Sequence, residues 1–253
     1  MTPVYLLVDG QTADRSVPLR ADDPGLTLGL SAFETLRTRG LEPTLLALHH
    51  ARLQRSAARL QIPAPSLALL QEEIARLLKA WPPDRDAAVR ITLTGGGRRI
   101  LMARPAPAPH PVLSCVTQPW APIHGLETVK HGSRAGWVTM VRESGADDVI
   151  MVDSDGCLLE STCGALLARC DGRLVSPPND GRILPSVTIR YLSSLTDIAR
   201  QPVRLEAVQA LWVCSSLKLF APVARLDGAP MPIDQDTHSA LLSRLAQASS
   251  AAV

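Results

Sequence analysis

Lysine is nearly missing from this chain: only Lys79, Lys130 and Lys218 stand against 23 arginines in 253 residues. Arginine cannot form an imine, because its guanidinium stays protonated; lysine can, so each lysine that arginine has not replaced is of interest. Other absences exclude whole classes of function. The formal charge is only +2 and no basic run occurs, which leaves no electrostatic footprint for nucleic acid or a membrane surface. There is no stretch of about 18 apolar residues, so no segment is expected to span a bilayer. Residues 1–10 are apolar over too short a run and lack the basic flank of a signal peptide, and a cytoplasmic protein is expected. The cysteines (Cys115, Cys157, Cys163, Cys170 and Cys214) form no C-x-x-C pair and have no histidines at zinc-ligand spacing. Reduced structural thiols and no metal are the expectation. Gly95-Gly96-Gly97-Arg98 lacks the Gly-Lys-Ser/Thr ending of a P-loop and the G-x-G-x-x-G spacing of a dinucleotide fold, and reads as a flexible hairpin tip.

What is present is a chain 46% hydrophobic, enough for one large or two modest domains. Residues 4–9 read as a strand, and 45–48 as another after a turn at Gly40. Helical spacing of Leu53, Ala57 and Leu60 predicts a helix over 49–60. A second helix is predicted over 66–81, with Leu67, Leu70, Ile74, Leu77, Leu78 and Trp81 as its buried stripe and Pro82-Pro83 as its stop. Val89, Ile91 and Leu93 alternate as a strand. The proline-rich run that follows cannot join a sheet interior and makes a linker over 105–112. Beyond it, 112–117 reads as a strand and 135–143 as a helix with Trp137, Met140 and Val141 on one face. Asp153-Ser-Asp-Gly156 and Cys170-Asp-Gly172 each mark a hairpin. A helix from about Ser186, a buried strand over 211–214 and a last helix over 237–247 complete the chain. The order is α+β in two halves: a smaller domain at 1–104, the linker, and a larger domain at 113–253.

Several side chains can carry chemistry, each with a plain structural alternative. Lys130, in a polar segment leading into a helix, is either a solvated lysine or an imine former. Lys79 ends an amphipathic helix and suits its dipole. Glu160 ends a hairpin strand, either as an exposed carboxylate or as an acid beside a cationic ring nitrogen. Pro185 and Thr188 open a helix whose free N–H groups suit either ordinary capping or a phosphate. Arg52, on a helix, is a solvated charge or a two-pronged phosphate partner.

Taken in order, these residues resemble the class IV aminotransferase family. The matching pieces are Phe33-Glu34-Thr35, His49-x-x-Arg52-Leu53, Lys130 and Gly145-Ala-Asp-Asp148. They continue with Asp153-x-x-Gly156-x-x-x-Glu160, Gly181-x-x-Leu184-Pro185-Ser186-Val187-Thr188-x-Arg190, and Ser215-Ser216 before Pro222-Val223. The resemblance runs over nearly the whole chain. It implies a two-domain α+β architecture of PLP fold type IV, with pyridoxal 5′-phosphate (PLP) in the interdomain cleft, and a homodimer. Lys130 would be the Schiff-base lysine and Glu160 the partner of the pyridine nitrogen. Arg52, the backbone of Val187 and Thr188, and Ser215 or Ser216 would hold the phosphate.

Within the family, three details are similar to aminodeoxychorismate lyase: Thr35 after Phe33-Glu34, Lys130-His-x-Ser-Arg134, and Gly96-Gly97-Arg98 as a substrate-carboxylate site. They imply conversion of 4-amino-4-deoxychorismate to 4-aminobenzoate and pyruvate, with Lys130 and Thr35 at the reacting centre and Arg98 on the substrate. A transaminase of branched-chain or D-amino acids, and a non-catalytic PLP-binding paralogue, are the alternatives. The sequence departs from the family pattern at Leu28-Gly29-Leu30-Ser31-Ala32, at Cys163-Gly164 and at Arg99-Ile100.

Overall fold

The computed structural model describes residues 4–14, 16–108, 112–120 and 125–248. They divide into two compact units: one through Pro107 with Val129–Ser133 and Ala248, the other of Ala108–Thr128 and Arg134–Gln247. The division falls inside the expected 105–112 linker, of which 109–111 lie outside the described residues, while Pro105 still belongs to a strand. The segment 129–133, expected in the larger domain, groups instead with the N-terminal unit.

The first unit is an antiparallel sheet of β1 (Tyr5–Val8), β2 (Gln11–Thr12), β3 (Ser31–Arg39), β4 (Glu42–Pro43), β5 (Ala87–Thr94) and β6 (Arg99–Pro105), in the order β2-β1-β6-β5-β3-β4. Besides the short α1 (Pro24–Thr27) it has two helices, α2 (Leu46–Arg59) and α3 (Leu67–Leu78). Side chains alternate across a strand. Ala32 and Leu36 of β3 share a face with Val89, Ile91 and Leu93 of β5, and this face buries against Leu46, Leu53 and Ala57 of α2 and Leu70, Ile74, Leu77 and Leu78 of α3. The opposite face carries Phe33 and Thr35 of β3 beside Arg90 and Thr92 of β5.

Residues 45–48 do not form the expected strand. Leu45 turns into the left-handed region at φ 54°, its carbonyl accepts from His49 N, and α2 begins at Leu46. The short apolar run there is the first turn of a stripe that continues at Leu53 and Ala57, and a run of four cannot by itself distinguish the two periods. The α3 stripe forms with Ser66 Oγ accepting from Leu69 N at the start, but the helix ends at Leu78 and Trp81 joins the same core from the turn that follows.

The second unit has β7 (Leu113–Pro119), β8 (Asp148–Val152), β9 (Cys157–Ser161), β10 (Ala165–Cys170), β11 (Arg173–Ser176), β12 (Ala199–Arg200), β13 (Val203–Arg204), β14 (Val208–Ser215), β15 (Leu219–Leu226) and β16 (Ala229–Pro230). Pairings run β10-β14-β15-β7-β8-β9, and β9 returns to β10 at Glu160 and Ala165, so these strands close a ring. Leu113, Ile150, Leu158, Leu166, Leu211, Val213 and Val223 fill one buried cluster. Both expected hairpins form. Gly156 takes φ 74° while Asp153 Oδ1 accepts from Asp155 N and Cys157 N; Asp171 and Gly172 both take positive φ. Three helices accompany the strands: α4 (Ala135–Ser144), α5 (Val187–Ser193) and α6 (Gln235–Leu245). Gly145 at φ 66° ends α4, yet no residue of that helix is buried and Val138 is exposed.

Candidate active site

In the N-terminal unit, the sheet strand β3 presents a carboxylate on its core face. Glu34 is fully buried. Its Oε1 accepts from Arg52 Nε at 2.7 Å and its Oε2 from Arg52 Nη2 at 2.8 Å, with His49 Nδ1 also 2.7 Å from Oε2. His49 and Arg52 lie one turn apart on α2, so one helix face supplies both partners. Burial alone would push Glu34 up, but the Arg52 charge, its two hydrogen bonds and His49 hold it well below the usual carboxylate range. Burial pushes His49 down, and the Arg52 and Lys130 charges act in the same direction against the pull of Glu34. The imidazole is therefore neutral near pH 7 and donates from Nδ1. Arg52 is thus no solvated helix charge: its Nε and Nη2 form a two-pronged pair with Glu34.

Lys130 comes to this unit because residues 129–133 lie along β3. Phe33 N donates to Lys130 O at 3.0 Å, Lys130 N donates to Ser56 Oγ at 3.0 Å, and Ala32 bridges to His131. Gly132 N donates to Ser31 O at 2.8 Å, and a Cβ on Gly132 would stand 2.0 Å from Ser31 Oγ, so that hydroxyl would have to rotate away. The ammonium of Lys130 sits 4.8 Å from the centroid of the Phe33 ring, and Arg90 Cζ lies 3.8 Å from the same ring. Thr35 stands directly opposite Arg90 in the β3–β5 register. One sheet face therefore assembles Lys130, Phe33, Thr35 and Arg90. Arg98 is at the β5–β6 hairpin tip as expected of Gly95-Gly96-Gly97, but its guanidinium binds Asp9 Oδ2 at 2.7 Å.

In the C-terminal unit, Glu160 lies at the end of β9, and its two carboxylate oxygens accept from Leu184 N at 3.3 Å each. Val187 and Thr188 are the first, buried residues of α5. Ser186 caps that helix through Ile189 N and its carbonyl accepts from Arg190 N, so the Val187 and Thr188 N–H groups lie outside both bonds. Ser215 ends β14, where its Oγ accepts from Lys218 N at 3.1 Å, and Ser216 follows in the turn. Gly164, where the family pattern has a side chain, has no space for one: a Cβ would lie 2.8 Å from Cys214 O.

Sequence reasoning did not single out Arg90, and it gave Asp148 only as the end of the Gly145-Ala-Asp-Asp148 motif, with no role of its own. Arg90 was readable as the polar member of Val89-Arg90-Ile91 on a strand whose other face is core. Asp148 is buried and gathers donors from Ser161, Thr162, Cys163 and Lys218. Cys163 is accordingly not a core thiol but an exposed residue whose Sγ donates to Asp148, and the Asp148 charge favours the protonated thiol. Among the described residues, no group of three or more His, Cys, Asp or Glu can hold a metal ion, and no helix is long and apolar enough to cross a membrane.

The family profile of class IV amino-transferases matches residues 31–226, and the chain belongs to that family. A bifunctional aminodeoxychorismate lyase / D-amino acid transaminase of Mycobacterium tuberculosis is 26% identical over 270 residues, covering 90% of this chain and 93% of the relative. A hypothetical aminotransferase from M. tuberculosis, in its alpha-ketoglutarate and PMP bound form, superposes with TM-score 0.87 at 25% identity, over 96% of this chain and 97% of that one. A fold IV transaminase from Curtobacterium pusillum gives 0.86 at 25% identity, over 97% and 100%.

Proposed function

We propose that the protein is a PLP-dependent lyase that converts 4-amino-4-deoxychorismate to 4-aminobenzoate and pyruvate. PLP is the cofactor of the class IV family to which the chain belongs. The donor set fits it: a lysine for its carbonyl carbon, a carboxylate for its ring nitrogen, and arginine, hydroxyls and free helix N–H groups for its phosphate. When bound, PLP supplies an electron sink for the carbanion formed next to the substrate nitrogen. Lys130 would hold it through its amine, and the same amine would take the proton from the substrate carbon that bears nitrogen. Glu160 keeps the pyridine nitrogen protonated by its opposite charge. Arg52, Val187, Thr188, Ser215 and Ser216 bind the phosphate.

The observation that carries the lyase reading is the shared sheet face of Lys130, Phe33, Thr35 and Arg90. A hydroxyl and a guanidinium beside the reacting lysine suit a ring that bears carboxylates: Arg90 grips one with two parallel bonds, and Thr35 bonds another or relays a proton. An aliphatic amino acid would need only apolar room there. Arg98 can join only by giving up Asp9. A second reading, transamination of D-amino acids, draws support from the bifunctional relative. Incubating the PLP-loaded protein with aminodeoxychorismate, and separately with D-alanine and 2-oxoglutarate, tests both. Release of 4-aminobenzoate with equimolar pyruvate is expected; a keto acid and a new amino acid without 4-aminobenzoate would remove the lyase assignment.

A further inference from the structure

The C-terminal unit contains an ion pair that the proposed chemistry does not use. Asp148, at the start of β8, is fully buried, yet five donors converge on its carboxylate. Oδ1 accepts from Thr162 Oγ1 at 2.5 Å and Val149 N at 2.9 Å. Oδ2 accepts from Cys163 Sγ at 2.8 Å, Lys218 Nζ at 3.0 Å and Ser161 Oγ at 3.1 Å. Besides Val149 N of the same strand, the other four donors come from two separate turns. Ser161, Thr162 and Cys163 directly follow Glu160, and Ser161 Oγ further accepts from Gly164 N at 3.0 Å. Lys218 closes the β14–β15 turn, where its N–H donates to Ser215 Oγ. A continuous set of bonds thus runs from the residues after Glu160, through Asp148 and Lys218, to Ser215.

We infer that Asp148 and Lys218 are positioning residues that hold the Glu160 turn and the Ser215-Ser216 turn in the arrangement that binds the cofactor, so that this pair sets PLP affinity. Stability alone is a poor reason for such a pair. Stripping water from two charges offsets most of their attraction, and apolar residues of similar size serve as well. What the ion pair adds is geometry: five directional bonds allow one relative placement of the two turns, while apolar packing tolerates several. Lysine is also scarce in this chain, three against 23 arginines, and an arginine here could still donate to Asp148.

The inference rests on the cofactor site proposed above, so its test separates the two. The parent, Lys218→Met and Lys218→Arg are stripped of cofactor, and PLP is titrated back while near-visible absorbance is followed. The thermal midpoint of each cofactor-free protein is recorded in parallel. Lys218→Met is expected to weaken PLP binding on the order of tenfold or more, the scale of one lost charge-assisted bond. Lys218→Arg should restore affinity to within about threefold, a rescue that altered packing would not produce. Should Lys218→Met fail to fold, Lys218→Gln makes the same comparison. Borohydride fixation in the parent reports on the site itself. Label away from Lys130 overturns both readings. Label on Lys130, with Lys218→Met binding PLP like the parent or with Lys218→Arg as weak as Lys218→Met, overturns the positioning pair and leaves the site standing.

Discussion

Replacing Arg52 by alanine should do two separable things. The guanidinium is the main counter-charge of Glu34, a carboxylate with no exposed surface. Removing one partner of a buried pair leaves the other charge uncompensated, at a cost of about 3–5 kcal/mol. His49 keeps its bond to Oε2, which places the loss at the lower end of that range. For a chain of this size each kcal/mol lowers the melting midpoint by roughly 2–4 °C, so the cofactor-free variant should melt roughly 6–12 °C below the parent. The second effect is on the cofactor. If Arg52 also grips the phosphate, PLP binding falls by roughly 10- to 150-fold, the equivalent of about 1.5–3 kcal/mol. Scanning calorimetry of both proteins, with and without saturating PLP, resolves the two, because the lost affinity reduces the ligand-induced rise in midpoint. A cofactor-free variant that melts with the parent would refute the buried Glu34–Arg52 pair; a full PLP-induced rise in the variant would refute the phosphate role.

Glu160→Gln should retain PLP but lose turnover on the order of 10²-fold, as when a preorganised electrostatic partner is removed; unchanged kcat takes Glu160 out of the site. Thr35→Ala should depress 4-aminobenzoate formation far more than any transamination, while Arg90→Ala should mainly raise KM for the carboxylate substrate, read from initial rates. Stability should fall with acid in two stages. His49 has its folded pKa below its ordinary value of 6.5, so the unfolded chain binds the extra proton and stability is lost as pH drops below about 6.5. Glu34, also depressed, adds a further loss below its ordinary 4.5. Urea midpoints between pH 8 and 4 check this, and His49→Gln should abolish the upper stage; a flat profile from pH 8 to 5 contradicts a neutral buried His49.

Elements that carry their own punctuation were legible in the sequence. The hairpin at Asp153-Ser-Asp-Gly156 and the α3 stripe from Leu70 to Leu78 form as their patterns require, since turn chemistry and helical spacing act over a few residues, although α3 ends at Leu78, short of the expected stop at the prolines. The strand β3 gave no such signal. Its buried face alternates Ala32, Glu34, Leu36 and Thr38, and two polar residues among the four erase the hydrophobic period. Those polar residues are buried because distant partners satisfy them: Glu34 through α2, and Thr38 through Ala87 N. The candidate site divides along the same line. Lys130, Glu160 and Thr188 were recognisable as members of an ordered motif set. Arg90 was not, because what distinguishes it is its position opposite Thr35 and over Phe33, a product of strand register. Nor could the Asp9 partner of Arg98 be read, since 89 residues separate them.

The central claim is that Lys130 carries the cofactor, and covalent fixation tests it most directly. PLP-loaded protein is reduced with borohydride, digested and mapped by mass spectrometry. With only three lysines in the chain, the outcome is unambiguous. Label on the peptide containing Lys130, absent from Lys130→Ala, is the predicted result. Label on Lys79 or Lys218 would contradict the account and dissolve the site built around β3.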